Sequence, residues 1–155
     1  MDFDRYREAV AANRRKHGFD LIDGDVSGLD GLWRTREEDP TVGSVSLFAA
    51  VADADDYDPD DVVEVADRFR DEILSRLGER DGTTPIGYVA FAVGSPDDAV
   101  VSTATSYTVA ERRTNVFPLV YDTNAEELHT HPVPRLKGRG IYRRQSADAE
   151  RLFDV

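Results

Sequence analysis

Val42 to Gly78 reads VGSVSLFAAVADADDYDPDDVVEVADRFRDEILSRLG. Its first part, Val42 to Ala52, is apolar at nearly every position. A strand that is apolar on both faces needs cover on both, so it belongs in the middle of a sheet. The period then changes. Asp58 is placed to cap a helix, Pro59 suits the first helical position, and Asp60 and Asp61 suit the positive end of the helix dipole. Val62, Val65, Ala66, Phe69, Ile73 and Leu77 recur at helical spacing and make one buried face, with Gly78 just past the end.

Downstream, Ile86 to Val93 is a second strand of the same central kind. Ser95-Pro96-Asp97-Asp98 repeats the cap, proline and acid pattern, which predicts a third helix over Ala99 to Arg113 with Val100, Ala104, Tyr107 and Ala110 inward. Val116 to Tyr121, VFPLVY, reads as a strand, and Pro118 inside it points to an edge position open to dimerisation by strand pairing. Asp122-Thr123-Asn124 turns the chain, and Glu127 to His131 returns as the hairpin partner.

Upstream, Phe3, Tyr6, Val10, Asn13 and His17 form a stripe on a first helix that Gly18 stops. Arg14, Arg15 and Lys16 in its last turn suit the negative end of the dipole. Phe19 to Ile22 and Leu32 to Glu37 read as two shorter strands. Residues 133–144 read as a basic loop with a short extended piece at Ile141-Tyr142, and Ser146 to Phe153 as a helical turn or two. The expected architecture is one α/β (or α+β) domain over residues 1–155, a mixed sheet of about five to six strands flanked by three main helices. Residues 133–155 are expected to be its basic loop and short terminal helix.

With 155 residues and 40% hydrophobic content the chain can bury a core. It has no apolar run of membrane-spanning length and no signal-peptide pattern at MDFDRYREAV, which predicts a cytosolic protein without a membrane partner. The absence of cysteine removes disulfides, thiolate ligands and a thiol nucleophile. The formal net charge is −12, with 21 Asp to 10 Glu and 17 Arg to 2 Lys. That balance resembles acidic proteins of haloarchaea, and the resemblance implies a carboxylate surface adapted to concentrated salt, where repulsion is screened within about 3 Å at 1 M.

Against that background Glu126 to Arg144, EELHTHPVPRLKGRGIYRR, is the local anomaly. Arg135, Lys137, Arg139, Arg143 and Arg144 follow one another with no carboxylate between them. Two readings compete. The arginines pair with carboxylates of the first two helices and pin the C-terminal segment. Alternatively Arg135, Lys137, Arg139, Arg143 and Arg144, with Tyr142 to stack, form the surface for an acidic partner, whether protein, nucleotide or nucleic acid. Lys137-Gly138-Arg139-Gly140 lacks the Walker pattern but could wrap a phosphate with backbone N–H groups.

His129-Thr130-His131-Pro132 resembles part of the zinc motif of JAMM-type isopeptidases, which implies His129 and His131 as zinc ligands. Downstream, Arg139 and Tyr142 stand where that motif has its further groups, and the arginines oppose a dication. A helix, a three-stranded meander, a helix and a strand, over Phe3 to Val93, resembles the core order of restriction-endonuclease-like domains. That family implies an acid near the second strand, for which Asp30 could stand, and an acid-x-Lys triplet on the third. VSLFAAVAD has no carboxylate or lysine before Asp53, and Asp53-Ala54-Asp55 has no lysine. No G-x-S-x-G elbow is present. The expectation is a non-catalytic domain without a cofactor whose C-terminal basic segment contacts an anionic partner, with a metal-dependent hydrolase using His129 and His131 as the alternative.

Overall fold

The chain runs α1 (Phe3–Lys16), β1 (Asp20–Asp23), β2 (Leu32–Asp39), β3 (Gly43–Asp53), α2 (Pro59–Arg76), β4 (Thr84–Val93), α3 (Asp98–Ser106), β5 (Asn115–Asp122), β6 (Glu127–His129) and α4 (Arg139–Phe153). These elements come from a computed structural model that describes residues 1–23, 26, 28–77, 82–107, 115–136 and 139–155. The six strands lie in one open sheet in the order of the sequence. β1, β2 and β3 form an antiparallel meander, β4 and β5 continue parallel to β3, and β6 returns antiparallel. The sheet is therefore mixed and the domain is of the α+β class.

Strand alternation divides the core in two. On one face Phe48, Ala50 and Ala52 of β3 and Val89, Phe91 and Val93 of β4 meet α2 and α3 through Val62, Phe69, Ile73, Val100 and Ala104. On the other, Val45, Leu47, Ala49 and Val51 of β3 and Ile86, Tyr88 and Ala90 of β4 meet α1 and α4 through Tyr6, Val10, Ala149, Leu152 and Phe153. The doubly apolar pattern of β3 and β4 thus follows from helices on both sides.

Local signals set the helix ends. Asp58 accepts from the Asp61 N–H and Asp61 accepts from the Asp58 N–H, a reciprocal capping box ahead of Pro59. Asp2 caps α1 through the Arg5 N–H, and Gly18, at φ +79°, turns the chain out of it. α3 is shorter than the Val- and Thr-rich run suggested. It stops at Ser106, and Tyr107 ties it to α2 by donating to Asp67 at 2.6 Å. Gly78 and residues 108–113, Ala110 among them, lie outside the described residues.

Two expectations need correcting. β5 is not an edge strand: it lies between β4 and β6. β6 pairs only with Val120 to Asp122, and Pro118 sits beyond that short ladder, so its missing N–H breaks no pairing. The segment 139–153, expected as a basic loop with an extended piece and a short terminal helix, is one helix of 15 residues. Its buried stripe contains Gln145 and Asp148 beside Ala149, Leu152 and Phe153, and those polar positions disguised the helical period.

Among the described residues no helix is long and apolar enough to cross a membrane.

α2 rests on β4 at Gly87, where a Cβ would stand 2.4 Å from Ile73 Cδ1 and 2.8 Å from Phe69 Cε2. Gly87→Ala should therefore destabilise by about 1–3 kcal/mol, read as a lower denaturant midpoint, because helix and strand must separate to admit one methyl group.

Candidate anion-binding surface

α4 carries most of the basic segment, and its placement decides which arginines face inward. Asp148, 2% exposed, is the inner anchor. Its carboxylate accepts from Tyr88 Oη at 2.7 Å, Arg144 Nε at 2.9 Å and Arg151 Nε at 3.0 Å. The same two guanidinium groups reach outward to β2. Arg144 contacts Glu37 at 2.5 Å and Asp39 at 3.1 Å, and Arg151 contacts Glu37 at 2.8 Å. Two arginines thus face three carboxylates and a phenol, and every charge in the group has an opposite neighbour. The first turn of α4 closes on the β2–β3 turn at Gly140, where a Cβ would stand 2.9 Å from Thr41 Cγ2.

The electrostatics follow the geometry. Burial opposes the charge on Glu37, but hydrogen bonds and attraction from Arg151 and Arg144 outweigh it and hold the carboxyl below its ordinary value. Asp39 is held low by the Val42 and Thr41 N–H groups, with Arg144 adding to them. Burial likewise works against the Arg144 guanidinium, and Asp148, Asp39 and Glu37 reverse that and raise it. Burial, then Asp148, pushes the Tyr88 phenol well up.

A second contact fixes the segment that leads into α4. Gln145 is fully buried and uses its amide as a stretch of backbone would be used. Its Oε1 accepts from the His131 N–H at 2.9 Å, and its Nε2 donates to the carbonyls of His131 at 3.2 Å and Tyr142 at 3.0 Å. Only this orientation of the amide satisfies all three. The His131 ring packs edge-on against Phe117, and Tyr142 does the same. His131 Nε2 lies 2.8 Å from the Pro118 carbonyl, on the side of β5 that β6 does not reach.

The residues named from the sequence therefore separate. Arg144 is neutralised inside the anchor, by acids of β2 and of its own helix rather than of α1 and α2. Tyr142 packs against Phe117 and is half-buried. Lys137 lies outside the described residues. Arg135, Arg139 and Arg143 are exposed, have no carboxylate partner among the described residues, and together with Val133 and Pro134 line one cleft. Arg139 and Arg143, one helical turn apart, also border a larger cleft beside Asp39 and Thr41. His129 ends β6 half-buried, while His131 is sealed two residues on with Nε2 at a carbonyl. Among the described residues no three His, Asp or Glu side chains are grouped to hold a metal ion. Asp30 is engaged by its backbone N–H with the Val51 carbonyl and by its side chain with Arg7 at 3.6 Å.

Sequence reasoning missed Arg151, Asp148 and Gln145. The i, i+3 and i+4 spacing of Arg144, Asp148 and Arg151 was the available signal, since it places two cations beside one carboxylate on a helix face.

Burial holds the His131 imidazole below its ordinary value of 6.5, against the hydrogen bond to Pro118. The unfolded chain then binds the proton more readily than the folded one, so stability falls as pH drops below about 6.5 and levels off below the folded value. Glu37 and Asp39 lose their contribution only at lower pH, below the ordinary carboxylate range. Denaturant midpoints measured at about pH 7.5 and about pH 5.5 should differ in wild type, and the difference should shrink in His131→Gln.

Compared with protein-family models, with curated proteins and with solved structures, the chain gives no match in any of the three.

Proposed function

We propose that the chain is a non-catalytic, salt-adapted binding domain whose C-terminal surface docks an anionic macromolecule through Arg135, Arg139 and Arg143. The observation that carries this reading is the contrast along one basic segment. Where its arginines face the body they are matched by carboxylates, as Arg144 is; these three face solvent and make no ion pair with a carboxylate among the described residues. In a chain of net charge −12, three unmatched guanidinium groups around one cleft oppose the prevailing field.

Arginine suits the role better than lysine, because its planar fork donates in pairs to phosphate or carboxylate. Val133 is 39% exposed and Leu136 is 87% exposed beside these arginines. Apolar contact next to directed charge supports a macromolecular partner over a free ion, since it gives affinity that salt does not screen.

The test is retention on phosphocellulose at about 1 M KCl, where loose attraction is screened within about 3 Å. Arg135→Ser, Arg139→Ser and Arg143→Ser combined should abolish retention and leave the melting temperature within a degree or two. Arg144→Ser should do the reverse, costing about 3–5 kcal/mol of stability because it breaks a buried pair. A triple variant that melts early and still binds would contradict the reading.

A further inference from the structure

On the far side of the same helical layer, α1 and β2 enclose a cleft of about 310 Å³ that shares no residue with the α4 surface. Its central feature is Arg14, one of the cations in the last turn of α1 that suit the helix dipole. Arg14 is 1% exposed, and its Nε and Nη1 atoms are buried without a hydrogen-bond partner. Its guanidinium carbon lies 4.4 Å from the centre of the Trp33 ring, which offsets part of the desolvation but accepts no directed hydrogen bond. Burial pushes the group down to about 10, the unfavourable direction for a cation.

The surroundings do not complete it. Asp30, whose charge favours the Arg14 cation, leans instead on Arg7 at 3.6 Å. Trp33 borders the cleft too, and its indole N–H donates to no acceptor among the described residues. Gly31, at φ +79°, keeps the space beside that N–H open, since a Cβ there would stand 3.4 Å from Trp33 Nε1. The charged lining is Arg7, Arg14 and Arg15 against Glu8 and Asp30, three cations to two anions, in a chain with 19 cations to 31 anions. A small cleft, an incompletely bonded buried guanidinium, an aromatic wall and an open indole N–H share one complement.

We propose that this cleft binds a small organic oxyanion, a carboxylate or phosphate group on a flat apolar body, with the oxyanion directed at Arg14 and the indole N–H and the body lying along Trp33. The volume sits at the low end for small-molecule sites, which fits a single ring and excludes a dinucleotide. Arg15, exposed at the rim, adds attraction without being part of the packing.

Trp33 is the sole tryptophan, so its fluorescence reports on the cleft directly. The whole chain is titrated with benzoate, with phenyl phosphate and with benzyl alcohol at constant ionic strength. A saturable change with Kd on the order of 1 mM or tighter is expected for at least one of the two anions and not for the neutral alcohol. Response to benzoate alone assigns a carboxylate, to phenyl phosphate alone a phosphate, and to both an oxyanion of either kind. Arg14→Met should weaken binding about tenfold or more, because hydrogen bonds to a charged group are lost. Its melting temperature without ligand should be no lower than that of wild type. If that variant does not fold, Arg15→Ser decides by a several-fold weaker Kd at unchanged melting temperature. No saturation with either anion, an equal response to benzyl alcohol, or unchanged binding in both variants overturns the proposal.

Discussion

Asp148 lies at the bottom of the C-terminal helix with a phenol and two guanidinium groups donating to it. A carboxylate taken out of water loses several kcal/mol of hydration, and one donor does not restore it. Three donors from two elements do, and they arrive together only when α4 lies across the sheet with Tyr88 beneath it. Arg144 and Arg151 then extend the contact to Glu37 and Asp39 at the end of β2. Apolar burial of Ala149, Leu152 and Phe153 supplies attraction without direction, whereas the ionic group fixes rotation and register.

Fixing the rotation of α4 also sorts its charges. With Asp148, Gln145 and Leu152 inward, Arg139 and Arg143 on the same helix must point out, and Arg135 approaches them from the preceding loop. The proposed docking surface is thus a consequence of the anchor. Gln145 performs the matching task on the loop side, holding His131 so that the chain from β6 enters α4 at one angle. On this plan the arginines of α4 are either paired or displayed. Arg14 on α1 is buried with Nε and Nη1 unbonded, and for that reason it reads as half of a binding site.

How much of this was legible follows from which residues carried each element. β3, β4 and α2 announced themselves because apolar positions with the right period, plus Asp58 and Pro59, all favour the same local structure. α4 did not. Gly140 looked like a loop residue but is present because Thr41 approaches it, and Gln145 and Asp148 occupy core-facing positions where periodicity expects hydrophobes. Pro118 implied an edge, and the truth is local: β6 is too short to reach it. Of the site, the unmatched arginines were visible as a run, but that Arg144 differs from Arg143 depends on acids about a hundred residues upstream. Arg14 gave no sign at all, since a basic last turn is what a solvated helix also shows.

The most direct test of the anchor is the unfolding free energy of Asp148→Ala, taken from denaturant titration at neutral pH. Removal of one partner from a buried ionic group leaves Arg144, Arg151 and the Tyr88 hydroxyl short of an acceptor, and a loss of about 3–5 kcal/mol is predicted. A loss below about 1 kcal/mol, the worth of an exposed surface pair, would contradict the account and return α4 to apolar packing alone.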